Sequence, residues 1–240
     1  MLAAAKSLAV NKTPDRPRPE LRHLAGALPS RRRLLAAIAA GAAGCGLLAG
    51  TRAFAENAPT DEDEWLQRVQ NYFNLIRTMQ SRFVQVSSNG EVAEGTVYIE
   101  RPGRMRVEYD PPVPVLIVSD GDFLVYFDKQ LEQVTHVPLG QTPASILLAP
   151  SIKLRGGELT VTEFARAPGA VRVTVVRNEN PGEGSLTLVF TEPPLELKQW
   201  VVRDAQGLVT TVTLQDARFE IPLKRELFVF KDPRFLRDSR

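Results

Sequence analysis

The chain has 240 residues, with 30 Lys and Arg against 28 Asp and Glu, 43% apolar and 24% charged. These globular proportions exclude a disordered or collagen-like chain. The net charge of +2 is unevenly divided: residues 1–55 hold nine basic and two acidic residues, and 56–240 hold 21 basic and 26 acidic. A +7 segment thus precedes a −5 body with no sustained Lys/Arg stripe, which argues against nucleic acid as a partner.

The basic segment reads as an address. Arg31-Arg32-Arg33 precedes a 17-residue apolar run, Leu34 to Gly50, and then Ala53-Phe54-Ala55. A positive region, an apolar region and an A-x-A site make a secretory signal cleaved after Ala55. Ser30 to Leu35 resembles a twin-arginine signal. The run is short and rich in Ala and Gly, a poor permanent membrane span. In an alternative reading, Ala43-Gly44-Cys45 is a lipoprotein cleavage site and Cys45 carries acyl chains. Cleavage after Ala55 leaves 185 residues with no cysteine and with His136 as the one histidine. That inventory excludes a cysteine nucleophile, a disulfide scaffold and a Cys/His metal site, so no cofactor or metal is expected. His136 lies in a strand-like Val134–Val137 stretch and reads as a strand histidine rather than a catalytic base.

In the body, Asp61 to Glu64 precede Trp65, Leu66, Val69, Tyr72, Phe73, Ile76 and Met79. Apolar residues at three- and four-residue steps, with acids at the N-terminal end, predict an amphipathic helix over 61–79. The period then becomes two, interrupted by turn residues such as Asn89-Gly90, Pro102-Gly103 and Asp120-Gly121. Eleven antiparallel strands are expected: 82–88, 91–101, 104–110, 114–119, 122–128, 131–137, 158–166, 170–177, 184–191, 195–203 and 207–218. So large a sheet must curl or split to cover its apolar face, and nothing divides 56–240 into two domains.

Two features break this rhythm. Thr142 can cap a short helix and Pro143 fits its first turn; Ala144 to Ala149 follow, and Pro150 ends it. The segment reads either as a plug or as a movable lid, since so short a helix depends on what it packs against. Arg101 falls by strand parity on the inward face of Val97 and Ile99. A guanidinium there needs carbonyl, carboxylate or water partners. It either reaches solvent at the strand end or bonds carbonyls of a covering element such as 142–149.

Taken in order, Glu100-Arg101-Pro102-Gly103, Val118-Ser119-Asp120-Gly121, Asp128 with Leu131-Glu132-Gln133-Val134, and Thr142-Pro143 with Leu147-Leu148 resemble the periplasmic outer-membrane lipoprotein carriers of Gram-negative bacteria. The likeness spans roughly 60–235. It implies a mainly β fold: an unclosed antiparallel barrel of about eleven strands, with an N-terminal helix and a short helical lid. It implies a monomeric periplasmic chaperone, not an enzyme. Such a chaperone takes acylated lipoproteins from an inner-membrane ABC-type release transporter to an outer-membrane receptor or to the outer membrane itself. It places Arg101 as the lid latch, with Thr142, Pro143, Ile146, Leu147 and Leu148 in the lid. The acyl-chain cavity then falls to Val97, Ile99, Met105, Val107, Phe123, Val125, Val171, Val173, Leu186 and Leu188.

Three other readings compete. A lipid-anchored acceptor of the same fold needs Cys45 acylated. A periplasmic lipid-sensing regulator needs a partner-regulating region. A carboxylate-dependent glycosidase needs a convergent pair among Glu158, Glu163, Glu192 and Glu196, which are scattered over strand ends and turns.

Overall fold

The computed structural model describes residues 60–232, so the expected export signal and the site after Ala55 lie outside the described residues. Helix α1 (Asp61–Leu75) begins at Thr60. The Thr60 hydroxyl accepts from Asp63 N–H at 3.2 Å, and the Asp63 carboxylate accepts from Thr60 N–H at 3.3 Å. This reciprocal cap and the four acids of the first turn satisfy the positive helix end. The helix stops four residues short of the expected Met79. Ile76 is already extended, and Thr78 and Met79 pair with Glu100 and Ile99, so sheet pairing takes the residues that both periodicities could claim.

Eleven strands follow: β1 (Thr78–Ser87), β2 (Val92–Glu100), β3 (Arg104–Tyr109), β4 (Val115–Asp120), β5 (Phe123–Asp128), β6 (Gln133–Pro138), β7 (Leu159–Ala167), β8 (Ala170–Arg177), β9 (Gly184–Thr191), β10 (Glu196–Asp204) and β11 (Val209–Phe219). All are antiparallel, in the order β6-β5-β4-β3-β2-β1-β11-β10-β9-β8-β7. The sheet is unclosed: β6 and β7 end it without pairing to each other. Register builds the interior in rows. Ser81, Val97, Val107, Ile117 and Tyr126 lie opposite one another across β1 to β5. On the other half, Val212, Trp200, Leu188 and Val173 do the same.

The inner face packs on α1. Trp65, Leu66, Val69 and Phe73 share one buried cluster with inward residues of both halves of the sheet. Gly95 makes room for this packing, because a Cβ there would lie 2.8 Å from the Phe83 ring and closer still to Glu108 O. On the outer face, the C-terminal segment lies across β3 and β4 through a short 3-10 turn, Arg225–Phe228. Phe228 is buried, Phe230 packs against Phe127 with the rings tilted and their centroids 5.5 Å apart, and Arg106 donates to Leu227 O at 3.1 Å.

That strap corrects two cavity expectations. Phe123 is 45% exposed, and Val125 is buried outside the inner cluster, whereas Leu124 and Tyr126 belong to it. The 122–128 run is apolar on both faces, so its parity cannot be read without knowing that a C-terminal element covers the outer one.

Candidate functional site

At the end of β2, Arg101 is 6% exposed, and its interior parity holds. Its Nε donates to Ala149 O at 2.7 Å, and its Nη1 donates to Ile76 O at 3.0 Å and to Phe73 O. The guanidinium also lies over the Phe73 ring at 4.4 Å. Helix α1 has no basic residue in its last turn. Its unpaired terminal carbonyls carry the negative end of the helix dipole. Arg101 supplies the missing cation and, with the same fork, holds the segment after the second helix. Burial and the neighbouring Arg77 lower its pKa to about 10, so it stays charged near neutrality.

The turn after Arg101 docks on the same segment. Gly103 N–H donates to Leu148 O at 2.9 Å. Gly103 has φ +80°, and a Cβ there would lie 2.7 Å from Gly121 Cα. Ser119 Oγ donates to Gly103 O at 2.8 Å. The two sequence stretches around Arg101-Pro102-Gly103 and Ser119-Asp120-Gly121 are therefore one unit: two turns in contact that aim an arginine and an N–H at the segment above them.

That segment differs in detail from its sequence expectation. The helix is a single turn, α2 (Ala144–Leu147), after a 3-10 turn at Leu139–Gln141. Thr142 does not cap it. Its hydroxyl instead donates back to Leu139 O at 2.8 Å, and Pro143 occupies the cap position with no side-chain bond. Ile146, Leu147 and Leu148 are buried in the common core with α1 and the sheet. Only a void of about 10 Å³ remains among Phe73, Ile99, Arg101 and Leu147.

Two residues that sequence reasoning missed extend this arrangement. Asn74 pairs with Ile152 both ways, its side chain donating to Ile152 O at 3.0 Å and accepting from Ile152 N–H at 2.8 Å. Gln70 Oε1 accepts from Leu154 N–H at 2.9 Å. They lie one turn apart on α1, a spacing that points them the same way. Nothing in the sequence says what they would meet. The segment from 142 to 154 is thus fastened to α1 as well as to β2.

The interior wall is continuous. Val97, Ile99, Met105 and Val107 from β2 and β3 meet Val171, Val173, Leu186 and Leu188 from β8 and β9 in the inner cluster. Polar atoms interrupt it. Tyr109 donates to Gln85 Oε1 at 2.8 Å, while Tyr126 OH and Trp200 Nε1 are buried without a partner among the described residues. Burial pushes the Tyr126 hydroxyl up to about 12, and that of Tyr109 higher. The four carboxylates weighed for glycoside hydrolysis do not converge. Glu192 pairs with Arg68, Glu196 with Lys198, Glu163 sits near Thr174, and Glu158 precedes β7. Among the described residues no three His, Cys, Asp or Glu side chains come together to hold a metal.

The geometry is an apolar trough covered by helix α1 and the short α2 segment, which share one arginine. Residues 74–231 match the family described as outer membrane lipoprotein carrier protein LolA. An outer-membrane lipoprotein carrier protein of Methylococcus capsulatus is 30% identical over 189 residues, 75% of this chain and 88% of that protein. Those of Nitrosomonas europaea and Alkalilimnicola ehrlichii are 29% and 31% identical, covering 70% and 75% of this chain and 85% and 83% of theirs. The chain belongs to the LolA family of outer-membrane lipoprotein carriers.

Proposed function

We propose that this protein is a periplasmic chaperone. It receives acylated lipoproteins from an inner-membrane ABC-type release transporter and delivers them to an outer-membrane receptor, acting as a monomer. The carrying observation is that Arg101, alone among the described residues, bonds to both elements that cover the trough, α1 and the 142–149 lid. On this reading the acyl chains lie along Val97, Ile99, Met105, Val107, Val171, Val173, Leu186 and Leu188. They take the place of lid residues Ile146, Leu147 and Leu148.

The magnitudes suit reversible carriage. Each buried methylene contributes ~0.8 kcal/mol, so ten contribute about 8 kcal/mol. A lid held by a few hydrogen bonds, each worth ~1 kcal/mol net, opens at far lower cost than unfolding an eleven-stranded sheet. An acidic body limits non-specific attraction to anionic membrane surfaces. The basic N-terminal 55 residues act as a cleaved export signal, and the working chain begins at Glu56.

Purification of the native periplasmic protein followed by intact-mass analysis tests both parts. A mass starting at Glu56 with bound acylated lipoprotein is expected. An acylated Cys45 would convert the reading to that of a membrane-anchored acceptor. Unchanged lipoprotein release from spheroplasts after depletion of the protein would exclude carriage.

A further inference from the structure

Arg101 has a counterpart on the other half of the sheet. On β8, Val171, Val173 and Val175 face inward and are buried, and the next residue of that parity is Arg177, the last of the strand. Together with Ile146, Ala149, Lys153, Glu158 and Leu159, it lines a crevice of about 470 Å³ between the lid segment and the start of β7. It also lines a gap of about 10 Å³ with Ile146, Pro143 and Gly184. Its Nε is buried without an acceptor, and among the described residues its side chain makes no ion pair. Arg177 is half-buried, so a ligand in the crevice meets the remainder of the guanidinium rather than the dry Nε, and an acceptor there gives this charged group the partner it lacks among the described residues.

The chemistry of the crevice narrows the ligand. Methylene groups offer Arg177 nothing, whereas a carbonyl oxygen accepts from it. A bare anion is a poor occupant, because the carboxylates of Glu158 and Glu179 line the same space as Lys153 and Arg177. A polypeptide backbone needs donors and acceptors together, and this lining offers both. The crevice also lies beside β7, an edge where the sheet does not close, so a chain can pass there without breaking a strand ladder.

We propose that Arg177 and this crevice hold the polar junction of an acylated peptide. The guanidinium donates to the carbonyl oxygens at which acyl chains are attached, and the peptide leaves between the lid and β7. The inference rests on the carrier reading and adds to it a binding site for the part of the cargo that is not lipid.

The test compares two probes, a peptide bearing ester-linked chains and its ether-linked twin of equal chain length. Binding is measured to the wild type, Arg177→Gln, Arg177→Lys and the outward-facing control Arg172→Gln. The wild type and the control are expected to prefer the ester about tenfold, as one charge-assisted hydrogen bond would give. Arg177→Gln should lose that preference while keeping the ether affinity, and Arg177→Lys should restore part of it. A photo-crosslinker at Glu179, with Arg177 intact, should capture the peptide, and one at exposed Leu131 should not. An ester preference that survives Arg177→Gln, no preference in the wild type, or no capture at Glu179 overturns the proposal while leaving carriage intact. If neither probe binds the wild type, carriage itself fails and the proposal with it.

Discussion

At the scale of single residues, Arg101 joins two elements that are otherwise held, among the described residues, by apolar contact, the α1 amides and the Arg155 ion pairs with Glu62 and Asp63. Arg101→Leu keeps an apolar stem in the interior and strips the donor from Phe73 O, Ile76 O and Ala149 O. Phe73 O keeps the Ile76 N–H at 3.2 Å, whereas Ile76 O and Ala149 O lose their Arg101 donor, and a buried carbonyl left unpaired costs about 1–3 kcal/mol until water reaches it. The local response is opening of the lid, so cleavage of the 149–158 segment by limited proteolysis should speed about tenfold or more while the sheet still unfolds cooperatively. Arg101→Lys should recover little, because a single ammonium cannot span carbonyls on two elements with the planar fork of a guanidinium. Normal lipoprotein transfer by Arg101→Leu would remove the latch role.

Ionisation at the same sites has a defined sign. Arg101 titrates at about 10 in the folded protein, below its ordinary value, so folded and unfolded chains are both protonated there at neutral pH. The group adds no pH dependence to stability below about pH 9, and lid closure should not respond to mild acidification through it. The tyrosines act oppositely to Arg101 in alkali. Burial holds Tyr126 at about 12 and Tyr109 higher, so the fold keeps protons that the unfolded chain releases from about pH 10 upward. Stability from these groups is complete below that pH and is lost as pH rises through the folded values. Alkaline unfolding followed by tyrosinate absorbance should therefore move to higher pH in Tyr126→Phe. An unchanged midpoint would mean that the Tyr126 ring is solvated.

Among the elements, the least expected is the C-terminal strap. Phe228 is buried against the outer face of the sheet, remote from the trough. Phe228→Ala should cost about 3–5 kcal/mol in urea unfolding, as large buried aromatics do, with little change in acyl-probe binding. An equal loss of binding would mean that the strap supports the trough. This element also marks where sequence reading runs out. The strands, their number and the interior side of Arg101 follow from two-residue alternation, which needs no partner to be legible. The sequence reading places Phe123 and Val125 in the cavity, and the structure does not, because both faces of β5 are apolar and the residues covering the outer one lie about a hundred positions away. Thr142 has the composition of a cap, yet its hydroxyl finds Leu139 O instead, a choice made by a 3-10 turn with no sequence mark. Arg177 was readable in principle, since it continues the Val171, Val173, Val175 parity as Arg101 continues that of Val97 and Ile99.

Over the whole molecule, stability and motion are assigned to different parts. The sheet is a continuous ladder of eleven strands, whereas the cover is one helix, one helical turn and a loop joined by side-chain bonds to backbone. The void beside Arg101, among Phe73, Ile99 and Leu147, is only about 10 Å³, too small for an acyl chain. A chain entering at that end therefore displaces the cover, while the strand ladders can stay intact. Hydrogen exchange separates these outcomes. On loading with an acylated peptide, the amides of Gly103, Ile152 and Leu154 should lose protection, because their acceptors are Leu148 O, Asn74 and Gln70. Amides in the β1–β2 and β10–β11 ladders should stay protected, since local opening of a loosely held segment lies far below global unfolding in free energy. Asn74→Ala should mimic part of this in the empty protein, exposing Ile152 at a local cost of about 1–2 kcal/mol. If loading instead exposes the β1–β2 ladder and leaves Ile152 and Leu154 protected, the sheet is the moving part and the lid is a fixed plug.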